Sequence, residues 1–319
     1  MSGSARATGL LIGYAADLAL GDPRRGHPVA GFGRAAQAAE RSLYADSRAR
    51  GALYNAALVG TVAALGAVGQ RAVRGSPVAE AATVAVATWT VLGGRSLVRE
   101  AQMMTRLLAR EDLAAARGRL SHLCSRDARA LSRQELVRAS VESVAENTSD
   151  AVVAPLLWGA VSGVPGLLAY RAINTLDAMV GYRDDRYRRF GWASARLDDA
   201  ANWVPARAAA AVTALVAPVV GGSPGRAALV WWRDGNLHPS PNAGQVEGAF
   251  AGALGVRIGG TNTYGGDVEQ RGIMDGGRPV QMSDLQRSAR LSVWVGASSA
   301  AAAAAGVVLV SSARGAWRG

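Results

Sequence analysis

The sequence contains no lysine, so all 35 of its basic residues are arginine. Without lysine the chain has no Schiff-base amine, no lysine nucleophile and no phosphate-binding loop of the Walker type. Recognition of phosphate or carboxylate groups falls to arginine, whose planar guanidinium binds such groups bidentately. The formal net charge is +11. The arginines alternate with acids in loops between apolar runs, which indicates membrane topology rather than nucleic-acid binding.

Cysteine and histidine are also scarce. The single cysteine, Cys124, excludes a disulfide within the chain and a thiolate zinc cluster. The three histidines, His27, His122 and His238, are too scattered to predict a histidine-rich metal site. The apolar stretch 8–20 is interrupted by Asp17 and is followed by no small-residue cleavage site, so we do not expect a signal peptide.

Charged residues are few, at 18% of the chain against 50% hydrophobic residues, whereas soluble domains have about 25% charged residues. Five apolar stretches approach or exceed the roughly 18 to 20 residues that cross a bilayer. They are 51–70, 77–94, 151–170, 203–222 and 289–310. We predict an all-α, polytopic membrane protein with about four to six apolar segments and large helical cytoplasmic loops. It is expected to form one integral-membrane domain over residues 1–319.

Two polar segments interrupt the apolar pattern. Residues 95–140 show helical spacing and predict a soluble-like helical insert, and Ser132 with Glu135 matches the capping box that begins a helix. Residues 267–288 are expected to be a polar connector. Glycine pairs on both sides of Thr261–Tyr264 predict a loop that closes over a ligand.

An acidic, amide-rich segment stands directly before the apolar run 151–170. Its polar residues are Glu142, Glu146, Asn147 and Asp150. Glu142 and Glu146, at i and i+4, share one helix face. Carboxylates beside bilayer-grade sequence cost free energy unless they have ligands, so we interpret this segment as part of an active site.

The apolar run 151–170 is broken by Pro155 and Pro165, and another segment rich in polar residues follows it. It contains Asn174, Asp177, an arginine-rich loop at 181–192, Asp198, Asp199 and Asn202. Broken helices are tolerated in membranes where they line a protein-buried or water-filled site. We therefore predict that one or both Pro-broken runs, 151–170 and 203–222, are re-entrant, which keeps all large loops on the cytoplasmic side.

Several multi-residue blocks, in order along the chain, resemble the CobD/CbiB family of adenosylcobinamide-phosphate synthases. The blocks are Gly21-Asp22-Pro23 with His27-Pro28; Glu146-Asn147-Thr148-Ser149-Asp150; Asn174-Thr175-Leu176-Asp177 with Met179-Val180-Gly181-Tyr182; Arg196-Leu197-Asp198-Asp199; Pro205-Ala206-Arg207; and His238-Pro239-Ser240-Pro241-Asn242-Ala243-Gly244. The resemblance is weakest at 35–138 and after 267. Ala178 departs from the serine expected in much of the family, which argues against an essential hydroxyl there.

The resemblance implies a multi-pass enzyme of the cell membrane whose active site faces the cytoplasm. Its reaction would be an ATP- and Mg²⁺-dependent amide ligation, which joins (R)-1-amino-2-propanol or its O-phosphate to the propionate carboxylate of adenosylcobyric acid. The implied partners are the corrinoid, the amino-alcohol and the lipid bilayer, without nucleic acid. A homo-oligomer, or association with other late corrinoid-pathway enzymes, is compatible with this role.

The resemblance also suggests roles for individual residues. For catalysis we name Glu146, Asp150, Asp177, His27 and His238, with one of the two histidines as the base for the attacking amine. For Mg²⁺, which prefers oxygen ligands, we name Glu142, Glu146, Asp150, Asp198 and Asp199, with Asp177 as a further carboxylate. For substrate binding we name Asn147, Asn174, Arg183, Arg186, Arg196, Asn202, Arg207, Ser240, Asn242 and Tyr264.

Two other classes fit parts of the pattern. An ion-coupled transporter would also place carboxylates at broken helices, but the sequence has no evident inverted repeat. A membrane phosphotransferase for lipid-linked alcohols would also use aspartate clusters, but the expected Asp-Gly-rich spacing is missing from the sequence.

Overall fold

Helices dominate the computed structural model from which we describe the protein. The backbone is described for residues 2–23, 26–124, 126–264 and 267–316, and the side chains for the same residues except 262–270 and 314–316. The chain divides into two compact units. Unit 1 comprises Met1–Gly93, Ala154–Asn202 and Ser299–Gly319, and unit 2 comprises Gly94–Val153 and Trp203–Ser298.

Unit 1 contains seven helices in its described residues. They are α1 (Gly3–Leu20), α2 (Pro28–Leu43), α3 (Arg48–Ala72), α4 (Pro77–Val91), α8 (Ala154–Ser162), α9 (Val164–Val180) and α10 (Tyr187–Phe190). Helices α1 and α4 lie side by side and parallel. The Ser2 amide donates to Glu80 at 2.8 Å at their N-terminal ends, and Trp89 Nε1 donates to the Gly21 carbonyl at 3.0 Å at the other.

The Pro-broken run 151–170 does not form one span. It divides at Gly163, whose φ of +68° only glycine adopts readily, and Pro165 lies in the first turn of α9. The Val164 amide donates to Gln70 in α3 at 2.9 Å. Near the other end of both helices, Tyr54 and Val180 belong to one apolar cluster. Helices α3 and α9 are therefore antiparallel.

Unit 2 combines helices with a small sheet. Its elements are α5 (Gly94–Ala109), α6 (Leu113–Leu120), α7 (Arg133–Thr148), α12 (Pro224–Asp234), α13 (Ala243–Leu254), β1 (Val256–Tyr264), β2 (Asp267–Asp275) and β3 (Arg278–Pro279). One large apolar core, built mainly from leucine, valine and alanine side chains of these elements, holds them together. Two long helices, α11 (Trp192–Val216) and α14 (Met282–Ala316), have residues in both units.

The predicted helix start at Ser132 is confirmed. Ser132 Oγ accepts from the Glu135 amide, and the Glu135 carboxylate accepts from the Ser132 amide at 2.8 Å, so both halves of the capping box are present. Helix α7 then passes at Ser149–Val153 into a π-helical turn that contains Asp150. Pro155 follows and has no N–H for a regular helical bond, a common reason for such a wide turn.

The sheet was not predicted. Residues 256–264 and 267–275 form an antiparallel pair of strands, whereas the sequence suggested a ligand-covering loop and a polar connector. Strand β3 pairs in parallel with the start of β1. Strands β1 and β2 are polar, and among the side chains described in them only Val256, Ile258 and Met274 contribute to the core, so period-two alternation was too weak to outweigh the glycines.

Four helical stretches among the described residues have the length and apolar composition of membrane spans. They are Arg48–Ala72, Pro77–Ala109, Trp192–Val220 and Met282–Ala313. The predicted class of an α-helical, polytopic membrane protein is therefore confirmed. The four candidate spans in the described part of the chain compare with about four to six apolar segments predicted, and the run 151–170 is not among them because it is broken at Gly163.

Candidate active site

The predicted site residues fall into two sets, one in each unit, and each set is described by itself. Unit 2 contains Glu142, Glu146, Asn147, Asp150, Arg207, His238, Ser240 and Asn242. Unit 1 contains His27, Asn174, Asp177, Arg183, Arg186, Arg196, Asp198, Asp199 and Asn202. The side chain of Tyr264 lies outside the described residues, so its predicted role in substrate binding stays a prediction.

Glu142 lies at the centre of a buried ion pair in unit 2. Its Oε2 accepts from Arg126 at 2.7 Å, and each of the two side chains is only 2% exposed. Its Oε1 accepts from the Gly259 amide at 2.8 Å, and Arg138 Nε lies 4.0 Å away. These contacts occupy both oxygens of a carboxylate that the sequence suggested as a metal ligand.

A bulge in strand β1 supplies that backbone donor. The register between β1 and β2 shifts between Ile258 and Gly260, and Gly259 has a φ of +91°. A side chain at position 259 would collide with the Gly272 carbonyl, so the position requires glycine. Arg138 donates to the carbonyls of Gly259 and Thr261 and thereby attaches α7 to the bulge.

A second carboxylate, Glu247, is fully buried in α13. Neither of its oxygens accepts a hydrogen bond from any described residue. The nearest nitrogen donors are beyond hydrogen-bond distance: His238 Nε2 and Arg271 Nη1 each lie 3.8 Å from Oε1. Burial, and then the charges of Glu142 and Glu146, raise the pKa of Glu247 well above its ordinary value.

His238 has a defined tautomer. Its Nδ1 accepts from the Ser240 amide at 2.9 Å, so the neutral ring carries its proton on Nε2, toward Glu247. Burial, followed by the charge of Arg271, lowers the pKa of His238 to about 4. Because Nδ1 is already occupied, this geometry favours His238 as a hydrogen-bond donor and disfavours the predicted role as a base.

The turn after His238 supplies hydrogen-bond acceptors for the backbone amides at the start of α13. Ser240 Oγ accepts from the amides of Asn242 and Ala243 at 3.3 and 3.2 Å. The Asn242 side chain makes no capping hydrogen bond to α13. Helix α13 is buried along its whole length, and its sequence AGQVEGAFAGAL contains a single carboxylate, Glu247.

We refer to Arg126, Arg138, Glu142, Glu146, His238, Glu247 and Arg271 together as the unit 2 cluster. Sequence reasoning placed Glu247 in a helix without giving it a role and gave none to Arg126, Arg138 or Arg271. The lone carboxylate in an apolar, small-residue helix was the available signal for Glu247. No local signal identified the arginines, because the contact from Arg138 to Gly259 spans 121 residues of chain.

The other predicted residues of unit 2 are half-buried or exposed. Asn147 donates to the Ser143 carbonyl of its own helix at 2.9 Å, and half-buried Asp150 lies in the π-helical turn. Arg207 donates to the Trp203 carbonyl at 2.9 Å and stacks over the Trp203 ring. These contacts give Arg207 a local structural role beside any role toward a ligand.

The main polar arrangement in unit 1 is of another kind, an aspartate bound by side-chain amides. Asn202 Nδ2 donates to Asp198 at 2.9 Å, and Asn174 Nδ2 lies 3.4 Å from its other oxygen. The Tyr170 hydroxyl donates to Asn202 Oδ1 at 2.7 Å and fixes the orientation of that amide. Asn174 and Asn202, which the sequence suggested for substrate binding, here contact a carboxylate of the protein itself. We call Tyr170, Asn174, Asp198 and Asn202 the unit 1 cluster.

The remaining predicted residues of unit 1 lie around the polar loop 181–192 or near the start of α2. Arg186 pairs with Glu40 at 3.0 Å and stacks on Tyr44, so it anchors the loop to α2. Arg183 and Arg196 are exposed, and Arg196 lies 3.9 Å from Asp199. Half-buried Asp177 packs its carboxylate over Gly181, at the end of α9.

His27 repeats the arrangement of His238. Its Nδ1 accepts from the Val29 amide at 3.1 Å, and its Nε2 lies 3.9 Å from Asp22. Each of these histidines precedes a proline, and in each Nδ1 accepts a backbone amide, which assigns the ring proton to Nε2. His27 is therefore also placed as a donor rather than as a base.

The predicted magnesium ligands do not form a ready-made metal site. Among the described residues, no group of three or more carboxylate, histidine or cysteine side chains is arranged to hold a metal ion. Glu142 is already bound by Arg126 and Gly259, and Asp198 is bound by amides. The residues present therefore do not fit a resident metal ion by themselves, and we derive no step through one.

A pocket of about 190 Å³ opens beside the unit 2 cluster. Arg138, Gly259 and Gly260 line it, together with Glu135 and Ile273 among others. Arg138 and Gly259 are the residues that contact Glu142, so one wall of the pocket backs directly onto the buried ion pair. An anion in this pocket would meet a guanidinium and the turned backbone of the bulge.

A helical membrane protein with a buried carboxylate and arginine cluster is thus the class that fold and site define. The family model described as CobD/Cbib protein matches residues 10–292. The chain is 54% identical to the cobalamin biosynthesis protein CobD of Mycobacterium tuberculosis, over 92% of this chain and 94% of the relative. It is 44% identical to CobD of Geobacter metallireducens, over 86% and 88% of the two chains.

A CbiB protein is also among the relatives. The cobalamin biosynthesis protein CbiB of Salmonella arizonae is 44% identical over 67% of each chain. No solved structure matches. The protein therefore belongs to the CobD/CbiB family, a family of cobalamin biosynthesis proteins, as its sequence blocks suggested.

Proposed function

We propose that this protein is a ligase of cobalamin biosynthesis that joins an amino-alcohol to a corrinoid carboxylate as an amide. The acid substrate would be adenosylcobyric acid, and the amine would be (R)-1-amino-2-propanol or its O-phosphate. The observation that carries the proposal is the unit 2 cluster, in which buried arginines and carboxylates lie beside a pocket. Membership of the CobD/CbiB family supports the substrate class.

The reaction needs activation, because condensing a carboxylate with an amine in water is uphill. We propose that ATP phosphorylates the propionate carboxylate and that the amine then displaces phosphate from the acyl phosphate. Positioning and charge stabilisation supply most of the catalysis in phosphoryl transfer. Arg138, which lines the pocket and is 16% exposed, is placed to contact a phosphoryl group. Mg²⁺ belongs to this proposal only as the ion that accompanies ATP.

The location of the site follows from the cosubstrate. ATP is available in the cytoplasm, so we propose that the protein lies in the cell membrane with its site facing that side. The four candidate spans support membrane insertion. The bilayer is the one non-substrate partner that the proposal requires, and an association with another copy or with other late corrinoid-pathway enzymes is an extension of it.

The test is mass spectrometry on the purified full-length protein in detergent, incubated with adenosylcobyric acid, Mg-ATP and either form of the amine. We expect a corrinoid heavier by the amine component minus water, with ATP consumed. Asp150→Ala should abolish product, and Glu111→Gln, at an exposed position outside both clusters, should not. Folded protein that forms no new corrinoid with either amine would overturn the ligase and favour an ion-coupled transporter.

A further inference from the structure

Glu247 is buried but lacks the hydrogen-bond partners that buried carboxylates usually have. It is fully buried, and neither oxygen accepts a hydrogen bond from the described residues. Buried polar groups are normally hydrogen-bonded, and exceptions call for an explanation. The other fully buried carboxylate of this cluster, Glu142, receives an arginine and a backbone amide, so the fold is able to satisfy such a group here.

The neighbours of Glu247 are positively polarised but stand too far away to bond. His238 directs Nε2–H at Oε1 from 3.8 Å, and Arg271 Nη1 also lies 3.8 Å away. A direct hydrogen bond would bring each nitrogen to about 2.9 Å. The carboxylate therefore lies near donors without being bound by them, and a ligand that brings its own donors would satisfy both oxygens.

We infer that Glu247 binds the ammonium group of the amino-alcohol substrate and takes a proton from it. This inference rests on the proposed function and deepens it by naming the residue that prepares the nucleophile. An ammonium group brings three N–H donors, which match two vacant carboxylate oxygens. Arg271 and the Nε2–H of His238 then face the anionic or hydroxyl end of the same small molecule.

The ammonium, R–NH₃⁺, transfers one proton to the Glu247 carboxylate and becomes the free amine. Its lone pair forms the C–N bond with the acyl phosphate, and the C–O bond to phosphate breaks. The second nitrogen proton leaves with the departing phosphate, and Glu247 later returns its proton to water. The nucleoside triphosphate consumed earlier supplied the phosphoryl group.

The surroundings favour this direction of transfer. Desolvation disfavours the charged forms of both an ammonium and a carboxylate, so a buried ion pair of the two tends toward the neutral acid and amine. The groups that face Glu247 are Glu142 and Glu146 from α7, Arg126 from the segment before α7, Arg271 from β2 and His238 before α13. The two acids disfavour a negative charge on Glu247, and the two arginines limit that effect.

The decisive experiment compares two nucleophiles in the full-length protein. Hydroxylamine is largely uncharged at neutral pH, so it traps an acyl phosphate as the hydroxamate without needing a proton acceptor. Aminopropanol, or its phosphate, is an ammonium at that pH and does need one. We expect Glu247→Gln to lower amide formation from the amino-alcohol by about 10²-fold or more and to leave ATP-dependent hydroxamate formation near the wild-type rate.

A pH series and a conservative variant add a second readout. In Glu247→Gln, residual amide formation should increase with pH as more free amine is present, and the slope should exceed that of the wild type. Glu247→Asp retains a carboxylate and should recover part of the lost rate. Glu111→Gln serves as the matched control for removal of one carboxylate.

The results distinguish a failure of the role inferred for Glu247 from a failure of the proposed ligase function. Equal loss of hydroxamate and amide in Glu247→Gln, or no loss of either, would overturn the role of Glu247 while the ligase itself stands. Wild-type protein that forms neither product would overturn the proposed function. Because glutamine has nearly the shape of glutamate, a folded variant is expected, and its elution as a single species on size exclusion checks this.

Discussion

The two units hold the half-buried Asp198 and the buried Glu142 by different means. In unit 1, Asp198 is held by the neutral amides of Asn202 and Asn174, and the Tyr170 hydroxyl fixes Asn202 in turn. In unit 2, Glu142 is held by the cation of Arg126. Neutral amides orient an acid without adding a charge of their own, whereas a guanidinium both donates hydrogen bonds and balances the negative charge. The amide contacts in unit 1 therefore contribute mainly orientation, and the ion pair in unit 2 also balances a buried charge.

Removing Arg126, the cation that pairs with Glu142 in unit 2, is the test of this comparison with the largest expected effect. Arg126→Met leaves Glu142 buried without its counter-ion, so we expect the free energy of unfolding to fall by about 3–5 kcal/mol. The double variant Arg126→Met, Glu142→Met should recover most of this loss, because replacing a whole buried pair by apolar groups is often nearly neutral. The measurement is denaturant or thermal unfolding of the detergent-solubilised protein.

Arg129→Met is the matched control, since Arg129 pairs with Asp127 at the surface and its side chain is 89% exposed. Surface pairs contribute about 0–1 kcal/mol, so little change is expected. Equal losses at positions 126 and 129 would show that the buried pair does not differ from a surface pair, and the contrast between the units would fail.

A smaller effect is expected when pH is changed. The pKa of His238 is lowered from 6.5 to about 4 in the folded state. The neutral ring is therefore favoured by folding, and this contribution is present above pH 6.5 and is lost as the pH falls toward 4. A shift of this size corresponds to at most about 3 kcal/mol. The glutamine in His238→Gln cannot be protonated. The free energy of unfolding of this variant, relative to that of the wild type, should therefore increase as the pH falls from 7 to 4.

The exposed His122 provides the control for this titration. His122→Gln should follow the wild-type curve of unfolding free energy against pH. If His238→Gln follows that curve as well, the burial of His238 does not affect its protonation, and the balance of charge assigned to unit 2 would need revision.

The smallest expected effect concerns the neutral network of unit 1. Tyr170→Phe removes the hydroxyl that donates to Asn202 at 2.7 Å, and one such hydrogen bond contributes about 0.5–1.5 kcal/mol. Tyr182→Phe removes an exposed hydroxyl that donates to the Ala178 carbonyl and should change stability by less than about 0.5 kcal/mol. A loss at Tyr170 as large as that at Arg126 would contradict the distinction between neutral and charged support.

Local signals in the sequence were sufficient for much of the helical framework. The capping box at Ser132 and the break in the run 151–170 are determined by residues within one or two turns, and both were predicted. The hairpin at 256–275 was missed because glycines and polar residues obscure its alternation. The partners of Glu142 were also missed, since the Gly259 amide lies 117 residues away and its position depends on a bulge.

The two histidine–proline turns have a spectroscopic consequence. His27 and His238 share one tautomer, with Nδ1 accepting a backbone amide and Nε2 bearing the proton. Imidazole nitrogen chemical shifts distinguish this tautomer from the one with the proton on Nδ1. The two rings therefore report on the same tautomer in two parts of the chain. A ligand that arrives beside Asp22 perturbs the signal of one ring, and a ligand that arrives beside Glu247 perturbs the signal of the other.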